Sequence, residues 1–256
     1  MRLNLGQPKV TNTSNILDIE VPAELEVNEP TGIPHVDALF AGDGVTPSTA
    51  AFITGIPGAG KTTLLLQLAD ALTGEGHVAI YNSNEESLYQ VRKVVRRLGL
   101  ENGFIPSYET TDKAIVAKAK AVQRANPGKR VFLFVDSLQC VEHERAKGQR
   151  GRPATGNKAT IKALETLTVW AKETFGVVFV IGMVGKNGDF LGANEIKHMI
   201  DCHLHMDVDT DRKSETYGQR VATMTKNRFG TSGIGYTYEV GAQGVHFETG
   251  ASSEQD

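Results

Sequence analysis

"TGIPGAGKTT", residues 54–63, sets glycines and a proline between a run of apolar residues and the start of a helical pattern. The stretch fits G-x-x-x-x-G-K-[ST], with Gly55, Gly60, Lys61 and Thr62 at the fixed positions. Glycines let successive backbone N–H groups turn inward around a phosphate, and the helix N-terminus adds its partial positive charge. In such a loop Lys61 reaches the outer phosphates and the Thr62 hydroxyl ligates Mg²⁺. The candidate nucleotide-binding segment is therefore Gly55, Ile56, Pro57, Gly58, Ala59, Gly60, Lys61, Thr62 and Thr63.

Outward from this loop, strand-like and helix-like segments alternate. "AAFIT" leads into a helix from Thr62 to about Leu72. "HVAIYNS" precedes a helix from Glu85 to Leu98, "VFLFVD" one from about Lys158 to Phe175, and "VVFVIGMV" follows. The alternation implies parallel strands with helical crossovers, an α/β fold, and the continuously apolar "VFLFV" and "VVFVI" belong in mid-sheet. In the second helix Leu88, Val91, Val95 and Leu98 form one inward stripe, with Arg92, Lys93, Arg96 and Arg97 on the solvated side. After Met199 shorter alternating strands ("CHLHMDV", "QRVATMT", "YTYEVG", "VHFE") suggest an antiparallel C-terminal extension of the sheet. Residues 1–30, with a possible strand at "ILDIEV", read as an arm or linker, 31–248 as one domain, and 249–256 as a disordered tail.

The 256 residues, 40% of them hydrophobic, suffice for one domain with a full core. A net charge of −3 excludes a protein that coats nucleic acid by bulk positive charge, so any such site must be local. Cys140 and Cys202 are the only cysteines, which excludes a disulfide framework and fits a reducing, cytoplasmic setting. No apolar run has the length of a membrane span, and no membrane partner is expected.

A nucleotide site needs a carboxylate for Mg²⁺, and Asp136 ends the strand "VFLFVD", where it either orients the metal's water shell or caps the next loop. Thr62 and Asp136 are the candidate metal residues. Hydrolysis also needs a group to polarise water, and Glu85 and Glu86 follow "HVAIYNS" at the C-terminal edge of the sheet. Position alone leaves two readings open: catalytic acids, or ordinary first-turn acids of a helix capped by Asn84.

These residues resemble the RecA-like P-loop ATPases and, more closely, the ATPase core of the bacterial RadA family. "TGIPHVDALFAGDGV" is similar to the family's T-G-I-x-E-L-D-x-x-L-G-G-G, "NEESLYQVRKVVRRLGL" to its G-E-E-S-x-x-Q stretch, and "VDSLQC" to V-D-S-[IL]-Q-T. "TKNRFGT" carries the family's K-N-R-F-G from Lys226 to Gly230. The resemblance runs from about Thr31 to Phe247. It implies a hexameric ring that hydrolyses ATP with Mg²⁺, tracks on single-stranded or branched DNA in recombination and repair, and works beside a recombinase. It makes Glu85 the catalytic carboxylate with Glu86 its neighbour, and gives Lys226 and Arg228 the nucleotide of the adjacent subunit. Where the family reads G-H-V-T-K-E-G this chain has "GMVGKNG", keeping Lys186 but placing Met183 and Gly185 at a His and a Thr. The family's four-cysteine zinc module and Lon-protease-like domain have no counterpart in these residues. The two rival expectations are a filament-forming recombinase or replicative helicase, and a KaiC-like regulatory ring that acts on protein partners.

A local electrostatic feature points to DNA independently. From Arg145 to Lys162 the chain carries Arg145, Lys147, Arg150, Arg152, Lys158 and Lys162 with no acid. The alternative is a solvated insertion. A second loop, 186–197, offers Lys186 and Phe190, the latter for base stacking or for packing beneath the loop. His203 and His205 alternate near Asp207, a weak pattern for a metal.

Overall fold

In the computed structural model the described residues are 15–144, 153–182 and 193–253. Among them one sheet of nine strands carries the fold: β1 (Ala50–Gly55), β2 (Val78–Ser83), β3 (Ile105–Ser107), β4 (Val131–Asp136), β5 (Val177–Ile181), β6 (Cys202–Val208), β7 (Arg220–Asn227), β8 (Ile234–Gly241) and β9 (Gly244–Ser253). Their spatial order is β3-β2-β4-β5-β1-β6-β7-β8-β9. Strands β1 to β6 run parallel, and β7, β8 and β9 pair antiparallel as the C-terminal extension.

Strand alternation divides the core into two layers. On one face Ala51, Ile53, Phe132, Phe134 and Phe179 meet α1 (Pro34–Phe40), α2 (Lys61–Gly74) and α3 (Leu88–Leu98). On the other, Ala50, Phe52, Leu133, Val178 and Val180 meet α4 (Asp112–Ala125), α5 (Asn157–Thr174) and α6 (Ala193–Met199). Phe134 and Phe179 stack with centroids 5.1 Å apart, and each buried ring contributes about 1.5–3 kcal/mol relative to exposure.

Several local expectations need correction. The "ILDIEV" segment is not a strand: Ile16–Asp18 forms a 3₁₀ turn because Asn15 and Asp18 build a reciprocal capping box. Helix α3 begins at Leu88, not Glu85, because Ser87 caps it with Gln90, while Asn84 is engaged elsewhere, donating to the Glu109 carbonyl at 2.7 Å. Residues 249–253 are not a tail: they extend β9, since β8 offers an unfilled ladder that pairs Ile234 with Ser253. Helix α4 and the three-residue β3 had no expected element, the first because an Ala- and Lys-rich stretch has a weak apolar stripe, the second because Pro106 interrupts it.

A buried carboxylate anchors the centre. Asp201, 1% exposed, accepts from the Ala50 amide at 3.0 Å and from Lys172 Nζ at 2.5 Å, with Arg228 Nη1 at 3.4 Å. It ties β1, α5 and the segment after β7 together. Asp201→Asn keeps an acceptor for Ala50 but leaves the Lys172 ammonium, mostly buried, without its counter-charge. We expect a loss of about 3 kcal/mol, read as a lower urea midpoint.

His203, 8% exposed between β1 and β7, is held neutral: burial, then the neighbouring His205, Lys197 and Lys226, lowers its pKa from 6.5 to about 4. The folded pKa is depressed, so this contribution is complete above pH 6.5 and is lost as pH falls toward 4. It amounts to about 3 kcal/mol at most. Chemical denaturation across that window is expected to show a stability loss in the native chain that His203→Gln lacks.

Candidate nucleotide site

The site begins where β1 ends. Gly55 has φ +151°, and a Cβ there would stand 1.9 Å from the Met206 carbonyl oxygen on β6, so only glycine permits the strand to turn into the loop this close to its neighbour. Gly58 and Gly60 follow with φ +76° and +93°. Gly60 is the N-cap of α2 and supplies no side-chain cap, leaving the first N–H groups of that helix directed out of its end. Backbone donors without a cap, at the positive end of a helix dipole, suit a phosphate.

Lys61 arches back over this loop, its Nζ donating to the carbonyls of Gly55 at 2.8 Å and Ile56 at 2.9 Å. Partial burial lowers its pKa, opposed by the charges of Asp136, Glu85 and Asp207. Thr62 Oγ1 donates to Asp136 Oδ2 at 2.7 Å, and Tyr81 Oη donates to the same oxygen at 2.8 Å. Burial beside that carboxylate pushes the Tyr81 phenol well up, which keeps it a donor. A hydroxyl beside a carboxylate is the hard oxygen set that Mg²⁺ takes with phosphate and water completing its shell. Among the described residues no group of three or more His, Cys, Asp and Glu could hold a metal ion.

Glu85 and Glu86 lie exposed between β2 and α3. Since Ser87 is the cap, the reading as first-turn acids of a helix does not describe them. Their segment is fixed from both sides, by the Asn84 amide donating to the Asp136 carbonyl at 2.7 Å and by Ser83 Oγ donating to the Glu86 carbonyl at 2.6 Å.

The antiparallel extension clasps the loop in a way not expected from sequence. Arg220 on β7 donates to the Gly58 carbonyl at 3.0 Å, and Tyr238 Oη on β8 to the Ala59 carbonyl at 2.8 Å. The Cα of Gly60 faces Val240 and Val245, and Gln67 on α2 bonds both the amide and carbonyl of Val245. Arg220, Tyr238 and Tyr81 carried no sequence signal, since each depends on a strand pairing that spacing does not fix.

Lys226 and Arg228 lie away from this loop. Lys226 Nζ donates to the carbonyls of Lys197 at 2.5 Å and Ile200 at 2.7 Å, at the end of α6, and partial burial lowers its pKa. Arg228 leans toward Asp201 with its side chain 68% exposed. His203 and His205 bond to the hydroxyls of Thr225 and Thr54, so the metal pattern noted at 203–207 is instead a hydrogen-bonded row. Of the DNA candidates, Lys158 and Lys162 stand exposed one turn apart at the start of α5. Arg145, Lys147, Arg150, Arg152, Lys186 and Phe190 lie outside the described residues. The base of the first loop is fixed, however: His143 and Ala154 exchange two backbone hydrogen bonds of 2.9 Å, and His143 Nδ1 meets the buried Asp112 at 2.7 Å.

With this geometry in place, kinship is informative. A family model described as "ATPase: KaiC" matches residues 29–140. The DNA repair protein RadA of Bacillus subtilis is 30% identical over 237 residues, covering 92% of this chain and 48% of RadA, and its counterpart in Streptococcus pneumoniae is 32% identical over 192 residues, 75% of this chain and 42% of that protein. The chain thus spans less than half the length of these curated relatives. Among solved structures, a DnaB-like replicative helicase superposes with a TM-score of 0.67 at 18% identity, covering 84% of this chain and 60% of that one. The glycine-rich loop, its carboxylate and the strand order belong together here: over residues 29–140 the chain is similar to the KaiC ATPase family, over most of its own length it is similar to RadA, and its fold is RecA-like.

Proposed function

We propose that this chain hydrolyses ATP and binds single-stranded DNA as a motor in DNA repair, with active sites shared between subunits of a ring. The observation that carries the hydrolytic reading is Thr62 at the end of the Lys61 loop donating to Asp136 at 2.7 Å, with Glu85 outside any helix and exposed to solvent.

In this reading the N–H groups at the start of α2 hold the phosphates, Lys61 moves from its own loop carbonyls to the outer phosphates, and Thr62 and Asp136 hold Mg²⁺. A Mg²⁺ held there would supply neutralisation of charge on the phosphate oxygens. Glu85 takes the proton of the water that attacks the γ-phosphorus, and the bond to the bridging oxygen of ADP breaks. Arg228, exposed, and Lys226, once released from the end of α6, supply cations to the neighbouring subunit's site.

The DNA reading draws on the RadA relatives and on the basic segment 145–162. The KaiC model ends at residue 140, before that segment and before Lys226, so it spans the nucleotide half and does not discriminate the two readings. A KaiC-like ring acting on proteins is the second reading.

Lys61→Ala is expected to lose both ATP affinity and turnover, because a lysine touches phosphate before and during reaction. Glu85→Gln is expected to bind ATP and turn it over at least ~10²-fold more slowly. Near-normal turnover of Glu85→Gln in a coupled ATPase assay would transfer the role to Glu86 or remove it from both.

If roughly three or four cations of the 145–162 segment meet phosphates together, log affinity for single strands falls with log salt at a slope of about −2 to −3 per protomer. Replacing Arg145, Lys147, Arg150 and Arg152 by Ser is expected to flatten that slope and remove any stimulation of ATPase by DNA. Fluorescence anisotropy across a salt series measures this. Salt-insensitive or undetectable binding with ATP and Mg²⁺ present would favour the protein-directed ring.

A further inference from the structure

One row of polar groups, buried at Thr54 and His203, is not used by the chemistry above. Thr225 Oγ1 lies 2.7 Å from His203 Nδ1, His203 Nε2 lies 2.7 Å from Thr54 Oγ1, Thr54 Oγ1 lies 2.8 Å from His205 Nδ1, and His205 Nε2 lies 3.3 Å from Asp207 Oδ2. The row crosses β7, β6 and β1 on the sheet face that carries α5 and α6. It starts at exposed Thr225, the extra residue of a β-bulge where the register shifts between His203 and Leu204, and it ends at half-exposed Asp207.

Its hydrogens have one consistent direction when both rings are neutral. A carboxylate only accepts, so His205 must carry its proton on Nε2 and offer a lone pair at Nδ1. Thr54 therefore donates to His205 and has its own oxygen free to accept from His203 Nε2–H. His203 Nδ1 is then an acceptor, and the single Thr225 hydroxyl proton goes to it at 2.7 Å in preference to the His203 carbonyl at 3.2 Å. The order is Thr225→His203→Thr54→His205→Asp207, with each hydroxyl giving one proton and taking one where it has a donor.

The middle and one end of the row bear on the nucleotide loop. Thr54 immediately precedes Gly55, whose carbonyl accepts from Lys61, and the charge of Asp207 acts on Lys61. The other end is the bulge next to Lys226. Packing does not demand polarity here: on the same face of β1 the preceding position is the apolar Phe52, buried in the same layer. Buried polar groups cost desolvation that apolar ones do not, so this row is a specific device for orientation.

We propose that the chain Thr225–His203–Thr54–His205–Asp207 positions the phosphate loop, with Thr54, His203 and His205 as positioning residues that hold Gly55 and aim Asp207 at Lys61. This rests on the loop's being a nucleotide site, and its first readout is nucleotide affinity, which does not require turnover.

The test uses the full chain with a fluorescent ATP analogue, ATPase assay and ¹⁵N NMR of the imidazole nitrogens. Both rings are expected as Nε2–H tautomers. Thr54→Val, nearly isosteric but without the hydroxyl, is expected to weaken analogue binding about tenfold, the size of one orienting buried hydrogen bond left unmade. Thr54→Ser is expected to restore affinity to within about twofold of native, and His205→Phe to match Thr54→Val. Native-like affinity in a folded Thr54→Val, or failure of Ser to rescue, overturns the proposal, as does an Nδ1–H tautomer at either ring. If His205→Phe fails to fold, Thr54→Val against Thr54→Ser decides alone. A native chain that binds the analogue without hydrolysing ATP, with the variants as described, would sustain the positioning role while ending the hydrolytic reading.

Discussion

The arrangement depends on one oxygen. Asp136 Oδ2 accepts from Thr62 at the start of α2 and from Tyr81 on β2, while the backbone carbonyl of the same residue accepts from Asn84. A carboxylate 6% exposed is tolerable only because its lone pairs are met, and meeting them fixes three elements at once. Strand β5 lies between β4 and β1, so the carboxylate reaches across a full strand to find Thr62. Removing either hydroxyl leaves a buried charge under-coordinated and frees the helix end from the sheet. The segment carrying Glu85 is anchored through the same residue, so the positions of the proposed base and of the proposed metal carboxylate are not independent.

The antiparallel extension is the second support. Arg220 and Tyr238 hold two successive carbonyls of the phosphate loop, and the β8–β9 turn closes over Gly60 and Gln67. A glycine-rich loop loses more conformational entropy on ordering than any other sequence, and these contacts are what order it in advance of a ligand. The nucleotide half and the extension therefore form one mechanical unit, although the chain places them more than a hundred residues apart.

Much of this was legible beforehand, for identifiable reasons. Buried parallel strands are written as unbroken apolar runs, and "VFLFVD" and "VVFVI" were read correctly because nothing else packs that way. The loop's shape was legible because its motif sets glycines where the backbone needs positive φ, at Gly55 and Gly60. Helix α3 was misjudged at its start because two cap candidates, Asn84 and Ser87, stand three residues apart, and the Glu109 carbonyl that claims Asn84 lies far along the chain. Tyr81, Arg220 and Tyr238 were invisible for the same reason: a hydroxyl or guanidinium acquires its meaning from what pairing brings opposite it. His203 and His205 were noticed as a pair with only a weak pattern for a metal, and their hydrogen-bonded row was not legible, since alternation shows that two rings share a face but not that threonines separate them.

The bulge at Thr225 acts on parity. In an uninterrupted strand Met224 and Lys226, two apart, would point the same way, and Met224 points into the apolar layer under α2. The extra residue reverses the count, so Lys226 opposes His203 while Met224 opposes Leu204, and the ammonium emerges beside α6 instead of in the core. Strand β7 thus carries its information in its length as well as its letters. Losing Thr225, the one residue between Met224 and Lys226, would leave composition almost unchanged yet exchange inside for outside along the rest of β7, which makes this the stretch where the chain tolerates substitution far better than insertion or deletion.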